Sequence, residues 1–374
     1  MKILLIGEYS GVHCTLAEGL RELGHQVTVI SDGDTWKDYP RDIDLTRKGR
    51  VAYLWKLIRL LPRMRGFDIV QLINPMFVDL KGERVFPLYN YLRKHNKKVV
   101  LSALGDDYYY YFINKTLKPM RYSDCNNGAE ERYTPYAKAK LDNWVGTARE
   151  CLNRHIARTC DAIIAGTYEY WLPYNLSSDC GEDGKPIRER LHLVPFPFKL
   201  PEENSLAPSE KLRVFIGISR TRSEYKGTDI MLRAAKDVMA KHPDRMELTV
   251  VENIPYKEYM NMMDNSDVML DQLYSYGPGM NALLTLSKGI ITLTGGEPEH
   301  YDIMGETLCR PIINVLPCYE SVFTQLENLV LHPEIIAALK RNCREYVMRN
   351  YDFRKVTRQY EAIYNSLLPT STQA

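Results

Sequence analysis

The feature that most constrains this chain is a repeated alternation of short apolar runs with amphipathic segments, a pattern typical of parallel α/β sheets. The run at residues 2–6 (KILLI) stops at Gly7. The next segment, 12–23, has helical spacing and ends at Gly24, and the run at 26–31 (QVTVIS) follows. Strands buried on both faces of a sheet are continuous apolar runs. These residues therefore predict a strand, a helix and a second strand.

The same alternation recurs in both halves of the 374 residues. The first half predicts further strands at 69–73, 98–102 and 162–165, and helices at 51–65, 85–94 and 138–160. The second half predicts strands at 214–218, 246–251, 268–273, 290–294 and 312–315, and helices at 228–241, 255–265, 281–288, 320–331, 334–350 and from 353 to about 368. The proline-rich stretch 182–208 between them predicts a linker, because proline is excluded from helix interiors and central strands.

We therefore predict an α/β fold with two Rossmann-like domains, residues 1–200 and 201–352. A helix and a frayed tail over 353–374 complete the chain. Ligands of open parallel sheets bind beside the carboxyl ends of the strands. The two domains are accordingly expected to face each other across a cleft that holds the active site.

Composition excludes several classes of protein. With 45% hydrophobic and 26% charged residues, the chain is neither disordered nor fibrous. A net charge of +2 lacks the basic excess of a nucleic-acid-binding protein. The eight cysteines include no CxxC pair, which argues against structural zinc and a disulfide framework. The first apolar run is too short for a signal sequence, so a cytoplasmic location is expected.

The loop after the first predicted strand consists of Gly7, Glu8, Tyr9, Ser10 and Gly11. Its glycines allow close backbone approach at a helix N-terminus, where N–H groups attract anions. The loop is therefore a candidate acceptor or phosphate loop, with a plain tight turn as the alternative. A tyrosine at position 9 replaces the glycine that a dinucleotide fingerprint requires, which disfavours a nicotinamide enzyme.

Two loops of the second half carry the strongest signals. The run at 214–218 is followed by Arg220, Arg222 and Lys226, three cations suited to a diphosphate. The alternative is a solvated polar loop. Further along, Gly277 and Gly279 open the predicted helix at 281–288, so backbone N–H groups would again meet a ligand.

These motifs, in this order, resemble the donor-binding half of the GT-B glycosyltransferases, specifically the retaining family 4, between residues 214 and 294. In that family the motifs Gly-Arg, Lys-Gly and Glu-Gly-Phe-Gly recur in this order along the chain. The resemblance implies a C-terminal helix that crosses back to the first domain. It also implies a nucleotide-sugar donor and no metal or other cofactor. The donor-binding residues it implies are Arg220, Arg222, Lys226, Tyr276, Gly277, Gly279, Met280 and Asn281. Of the two arginines, Arg220 is the one expected to correspond to the family's arginine.

The chain departs from the family at its E-x7-E motif, because Tyr276 and Leu284 stand where the two glutamates belong. Tyrosine can still hydrogen-bond a sugar, whereas leucine cannot. Glu297 and Glu299 are nearby acids that we expect to replace the lost carboxylates in donor binding.

On the acceptor side, Asp106 and Asp107 follow the run at 98–102 and are similar to the family's Gly-Ser-Asp segment. Asp107 is the better match, so the resemblance implies that Asp107 handles the acceptor hydroxyl. An acid there can orient or deprotonate a sugar hydroxyl. The alternative role is capping of a helix. The segment 51–65 mixes apolar and basic residues, so it is either a helix that rests on anionic lipid or a packed helix with a basic outer face.

The sequence thus predicts an enzyme: a retaining glycosyltransferase that moves a sugar from a nucleotide-diphosphate donor to a saccharide or lipid-linked saccharide acceptor in surface polysaccharide synthesis. It would act in the cytoplasm or at the inner face of the membrane, with no nucleic-acid partner. A catalytically silent sugar-nucleotide-binding subunit and a nucleotide-sugar epimerase of the same architecture are the alternatives.

Overall fold

A computed structural model describes residues 1–132, 134–202 and 209–368. The chain divides into two compact units. The first unit contains residues 1–113, 140–199 and the chain from Phe353 onward. The second unit contains residues 200–352 together with an insertion, Asn114–Ala139, that comes from the N-terminal half of the sequence. Parts of the predicted linker (203–208) and tail (369–374) lie outside the described residues.

The first unit is built on a parallel sheet of seven described strands in the order β3-β2-β1-β4-β5-β8-β9. These are β1 (Lys2–Ile6), β2 (Gln26–Ser31), β3 (Ile43–Asp44), β4 (Ile69–Leu72), β5 (Lys98–Ala103), β8 (Ala162–Ala165) and β9 (Leu191–Leu193). Two further strands, β6 (Asn126–Asn127) and β7 (Glu130–Glu131), form an antiparallel pair in the insertion. Side chains of β1 are buried from Ile3 to Ile6, as its continuous apolar sequence predicts.

Helices connect these strands. They are α1 (Val12–Glu22), α2 (Arg50–Leu60), α3 (Gly82–His95), α4 (Tyr108–Thr116), α5 (Pro135–Trp144), α6 (Ala148–Thr159) and α7 (Tyr168–Leu176). The single helix predicted over 138–160 is wrong, because Gly146 adopts a left-handed φ of 73° between α5 and α6. The linker predicted over 182–208 is wrong in part, since β9 lies within it and pairs with β8 at the sheet edge.

The second unit has a parallel sheet of five described strands in the order β11-β10-β12-β13-β14. The strands are β10 (Leu212–Ile218), β11 (Met246–Glu252), β12 (Val268–Leu270), β13 (Ile291–Thr294) and β14 (Ile313–Asn314). The helices are α8 (Ser223–Lys226), α9 (Thr228–Lys241), α10 (Tyr256–Asp264), α11 (Met280–Ser287), α12 (Pro298–Met304), α13 (Tyr319–Leu331) and α14 (Ile336–Asn350). Two Rossmann-like units therefore form the α/β fold that the sequence predicts.

The last described helix, α15 (Phe353–Leu367), packs on the first unit. Val356, Tyr360 and Tyr364 join the apolar core around Ile3 and Leu16. A Cβ atom at Gly19 of α1 would lie 2.2 Å from Oγ1 of Thr357, so glycine permits the close helix contact. The predicted return of the C-terminal helix to the first unit is confirmed.

Strand order also locates the point where a ligand can bind each sheet. The chain crosses from β1 to β2 on one side and to β4 on the other, and from β10 to β11 on one side and to β12 on the other. Crevices open where the order reverses, beside the carboxyl ends of the strands. The loops after β1, β4, β10 and β12 are therefore the places to look for function.

Candidate functional site

The loop after β10 carries the three predicted cations, and they differ in what they contact. Nε of Arg220 lies 2.6 Å from Oε2 of Glu252, at the end of β11, and the Arg220 side chain is 77% exposed. Lys226 is half-buried, and within the described residues its Nζ atom has no ion-pair partner. Lys226 is thus the more available cation, while the charge of Arg220 is already paired.

Arg222 lies against aromatic rings. Its guanidinium carbon is 5.2 Å from the ring centroid of Tyr136 and 5.6 Å from that of Tyr225. Its Nε atom is buried and has no hydrogen-bond acceptor among the described residues. A buried N–H group without an acceptor costs roughly 1–3 kcal/mol, which an anionic ligand would recover.

The loops after β10 and β12 contact each other directly. The N–H group of Leu273 donates to the carbonyl of Lys226 at 2.9 Å. Gly227 has a φ of 73°, and a Cβ atom there would lie 2.8 Å from Leu273. The glycine is therefore required both by its backbone conformation and by the close approach of the two loops.

The loop after β12 leads into α11, whose N-cap is Gly279. Among the described residues, the N–H groups of Met280, Asn281 and Ala282 have no acceptor. Nδ2 of Asn281 donates to Asp271 at 2.9 Å, which fixes the first turn of the helix. A Cβ atom on Gly277 would lie 2.4 Å from Nδ1 of the buried His300, so the loop also packs against α12. The start of α11 can accept an anion.

The insertion contributes an arginine that sequence reasoning missed. The guanidinium carbon of Arg132 lies 3.3 Å from the ring centroid of Tyr274, in the loop after β12. Nη2 of Arg132 donates to the carbonyls of Glu224 and Tyr225 at 2.6 and 2.8 Å. Its Nη1 atom is buried with no acceptor among the described residues. Arg132 therefore bridges the two switch-point loops and retains an unsatisfied donor.

The insertion also engages the acids expected to bind the donor. Arg121 pairs with Glu297 at 2.5 Å and with Glu299 at 2.6 Å. Its backbone N–H donates to the hydroxyl of Tyr276 at 2.6 Å. Tyr122 donates its hydroxyl to Glu297, which is only 3% exposed. Tyr276, Glu297 and Glu299 are thus brought together, and each has a partner within the unit.

Tyr276 and Leu284, the two residues at the glutamate positions that the resemblance implies, both pack inside the second unit. Tyr276 is 1% exposed and packs its ring 5.0 Å from that of Tyr122, and burial raises its pKa to about 12. Leu284 packs against the apolar cluster of Phe215 and Met263. The two positions have structural roles here. No pattern in the sequence places residues 114–139 on the second unit, so Arg121 and Arg132 had no detectable signal.

In the first unit, the loop Gly7–Gly11 ends in α1, and an acid inside the loop occupies the helix N-terminus. Glu8 accepts N–H groups of His13 at 3.2 Å and of Cys14 at 2.8 Å. The N–H of Val12 donates to the carbonyl of Tyr9. In this conformation the first turn thus has internal partners for these three donors.

Burial raises the pKa of Glu8 to about 7, because the charged carboxylate loses its hydration. Gly7 and Gly11 both have φ of 85°, and Ser10 has φ of 53°. The N–H group of Ser10 donates to Asp34 at 2.9 Å, and Lys37 donates to the Ser10 hydroxyl at 3.0 Å. The loop is fixed internally, and its role in phosphate or acceptor binding stays a prediction.

Asp106 and Asp107 have different surroundings. Asp107 is 2% exposed and accepts the N–H of Tyr110 at 2.8 Å and the hydroxyl of Tyr174 at 2.7 Å. Its place before α4 is that of a helix cap, and burial raises its pKa to about 6. Asp106 pairs with Lys140 at 2.6 Å and keeps 28% of its side chain exposed. A substrate hydroxyl can reach Asp106 more readily.

The loop that carries the two aspartates is held beside the point where the strand order of the first sheet reverses, between β1 and β4. Nδ2 of Asn74, just after β4, donates to the carbonyls of Leu104 and Asp106 at 2.8 and 3.1 Å. The ring of Tyr9 lies 3.7 Å from the position of a Cβ atom on Gly105. The first loop and the aspartate loop are therefore neighbours.

No family model matches the chain, and no curated protein matches it. Several solved structures do. HepE of Anabaena, in complex with UDP-glucose, superposes with a TM-score of 0.60 at 11% identity, over 98% of this chain and 100% of that one. Sucrose-phosphate synthase from Thermosynechococcus elongatus gives 0.59 at 13%, over 98% and 99%. WaaG, a glycosyltransferase involved in lipopolysaccharide biosynthesis, gives 0.58 at 14%, over 97% and 99%.

The chain has the GT-B fold. Coverage of nearly the whole length of each chain shows that both units take part in the likeness. Within this GT-B fold, the second unit holds the loops with unsatisfied cationic and backbone donors, and the first unit holds the accessible Asp106.

No helix within 1–132, 134–202 and 209–368 is both long and apolar enough to cross a membrane. In the same residues, no group of three or more His, Cys, Asp and Glu side chains has the spacing of a metal site.

Proposed function

We propose that the chain is a retaining glycosyltransferase whose second unit binds a nucleotide-diphosphate sugar at the loops after β10 and β12. One observation carries the proposal. Arg222, in the loop that also carries Lys226, and Arg132, in the insertion that contacts this loop, each keep a buried N–H donor without an acceptor among the described residues. The charge that accumulates on a departing diphosphate needs such preorganised donors. The HepE structure of the same fold holds UDP-glucose.

The roles of the residues follow from their contacts. Lys226, Arg222 and Arg132 would neutralise the diphosphate, and the N–H groups at the start of α11 would hold its oxygens. The sugar and ribose of the donor would contact Glu299, Gly277 and Gly279. The side chain of Glu299 is 32% exposed. Arg220 would assist from the edge of the site, since it is already paired with Glu252. No step requires a metal ion or another cofactor.

On the first unit, Asp106 would accept a hydrogen bond from the acceptor hydroxyl, and Asp107 would hold the loop through its cap of α4. The bond from the sugar C1 to the diphosphate oxygen breaks, and the acceptor oxygen bonds to C1 on the same face. The acceptor proton leaves with the diphosphate. We propose a saccharide or lipid-linked saccharide as the acceptor, used in surface polysaccharide synthesis at the cytoplasmic side of the membrane.

A second candidate function is a catalytically silent sugar-nucleotide-binding subunit. Two observations favour it: Glu297 is 3% exposed and paired with Arg121, and Leu284 stands in an apolar cluster. The two glutamates that the resemblance assigns to the donor are thus absent, and Glu297, a nearby acid expected to replace them, is engaged by Arg121.

One experiment separates the two functions. The protein is incubated with a panel of sugar nucleotides, with and without oligosaccharide acceptors, and nucleoside diphosphate release and product linkage are followed by chromatography and proton NMR. Acceptor-dependent release and a product with the donor's anomeric configuration are expected. Tight donor binding without product on any acceptor would instead establish the silent subunit, and an inverted product would exclude the retaining mechanism.

A further inference from the structure

Helix α2 of the first unit has apolar side chains on two opposite faces. Tyr53, Leu57 and Leu60 are buried and attach the helix to the unit. Val51, Leu54, Trp55 and Ile58 lie on the other side and are 72, 39, 59 and 48% exposed. Their spacing of i, i+3, i+4 and i+7 places these four residues in one stripe along the helix. We call this stripe the α2 surface.

The α2 surface lies within the most basic segment of the chain. From Arg47 to Arg65 there are seven basic residues and no acidic one. Because the whole chain carries +2, the remaining residues sum to −5. The positive charge is therefore concentrated around the α2 surface. The basic residues are Arg47, Lys48, Arg50, Lys56, Arg59, Arg63 and Arg65.

Most of this charge is not neutralised by the fold. Arg47 pairs with Asp79 at 3.0 Å and Lys56 with Asp44 at 3.4 Å. Five exposed basic residues have no ion-pair partner among the described residues. These are Lys48, Arg50, Arg59, Arg63 and Arg65, the last of which donates to the hydroxyl of Tyr91.

We propose that the α2 surface docks the protein on an anionic lipid bilayer, with α2 parallel to the membrane plane. Trp55 and Val51 would enter the boundary between headgroups and acyl chains, and the flanking arginines would contact lipid phosphates. A stripe of Trp, Leu and Ile bordered by Lys and Arg is the composition that such interfacial helices use. With 11 residues, α2 is too short to span the bilayer, so it lies on the surface.

Charge decides against a second copy of the chain as the occupant. Two copies that met through the α2 surface would bring two sets of unpaired arginines together, and like charges repel. An anionic bilayer covers the apolar stripe and neutralises the same cations, each worth about 1 kcal/mol near the surface. The first unit would then meet lipid-linked acceptors at the bilayer.

Vesicle sedimentation tests the proposal. Phosphatidylcholine vesicles with and without about 30% phosphatidylglycerol are mixed with the full chain at low and high salt. Binding is expected only with phosphatidylglycerol, and it should weaken as salt screens the charges. The variants Trp55→Ser/Ile58→Ser and Arg59→Glu/Arg63→Glu should each lower the partition coefficient more than ~10-fold.

A matched control uses exposed apolar residues of the second unit, Leu308 and Leu331, which are 78 and 42% exposed. Leu308→Ser/Leu331→Ser should bind vesicles like the wild type. All three variants should bind nucleoside diphosphate unchanged, which separates failure of this proposal from failure of the proposed donor site. Vesicle binding that is absent, or that is equal in all variants, would overturn the proposal. So would a dimer in sedimentation velocity that Trp55→Ser/Ile58→Ser converts to a monomer.

Discussion

Arg132 lies over the ring of Tyr274, with its guanidinium carbon 3.3 Å from the ring centroid, while the same guanidinium donates to two backbone carbonyls of α8. This relationship ties a residue from the N-terminal half of the sequence to both switch-point loops of the second sheet. It fixes the arginine by stacking and by two hydrogen bonds, so little side-chain entropy remains to be lost when an anion binds. The insertion 114–139 is thus part of the proposed donor site.

Replacement of Arg132 should weaken nucleotide binding more than it weakens the fold. Arg132→Ala removes a charge-assisted hydrogen bond that contributes about 2 kcal/mol to the binding free energy. The Kd for nucleoside diphosphate should therefore rise ~30-fold. Calorimetric titration measures this change. Arg233→Ala is the matched control, because Arg233 also lies over a tyrosine of the same unit, 4.7 Å from the Tyr319 ring. Equal affinities of the two variants would exclude Arg132 from the site.

The ion pairs of Arg121 should stabilise the second unit. In Arg121→Ala the buried carboxylate of Glu297 loses its cationic partner, and we expect a loss of about 2 kcal/mol in the free energy of unfolding. The double variant Arg121→Ala/Glu297→Gln should lose less, because it removes the unpaired charge as well. Urea unfolding provides the measurement. Arg310→Ala, which removes a pair with the 67% exposed Asp302, should be nearly neutral. Additive effects of Arg121 and Glu297 would contradict this account.

The pKa of Glu8 predicts a pH dependence of stability. The pKa is raised from 4.5 to about 7, so between these values the folded state holds more protons than the unfolded state. Stability from this group is full below about pH 4.5 and falls as pH rises toward 7, by about 3 kcal/mol. Buried His13, whose pKa is lowered to about 4, has the opposite slope between pH 4 and 6.5.

Comparison of the wild type with Glu8→Gln isolates the Glu8 contribution, because His13 is common to both proteins. The difference in unfolding free energy, wild type minus variant, should fall by about 3 kcal/mol between pH 4 and 8. Urea titrations of both proteins at three pH values across this range measure this difference in unfolding free energy. A difference that stays constant with pH would show that Glu8 titrates normally in the folded protein.

The two aspartates after β5 should have separable roles. Asp106→Asn should lower kcat for transfer ~100-fold while donor affinity is retained, because it removes the half-buried carboxylate that is proposed to bind the acceptor hydroxyl. Asp107→Asn should retain transfer, since asparagine also caps helices. Steady-state kinetics with the productive sugar nucleotide distinguish them. The opposite order of effects would assign the acceptor role to Asp107.

Much of the fold was predictable because long apolar runs and helical periodicity are local properties. The runs KILLI, QVTVIS and AIIA became β1, β2 and β8. Strands of two or three residues, such as β3 and β9, were not predicted, because their pairing is decided by neighbouring strands rather than by their own sequence. The tyrosine run that forms α4 carries no amphipathic pattern, and its cap, Asp107, was weighed mainly as a catalytic acid.

The candidate site was predictable only where it is contiguous in sequence. Lys226, Gly277 and Gly279 were found because each lies between a strand and a helix. Arg121 and Arg132 were not, because an insertion far away in sequence brings them to the second unit, and only the tertiary fold shows this contact. Glu297 and Glu299 were expected at the donor; both pair with Arg121, and their role in donor binding stays a prediction.

Binding of nucleoside diphosphates is the most direct test of the central claim. UDP, GDP and ADP, with NAD and the parent nucleosides for comparison, are titrated into the wild type, Lys226→Ala and the control Lys236→Ala. One diphosphate should bind the wild type and Lys236→Ala with the same affinity and should raise the Tm of both by mass action. Its affinity for Lys226→Ala should be weaker by ~10-fold or more. Binding of NAD alone, or affinity for a diphosphate that is unchanged in Lys226→Ala, would contradict a donor site at the loops after β10 and β12.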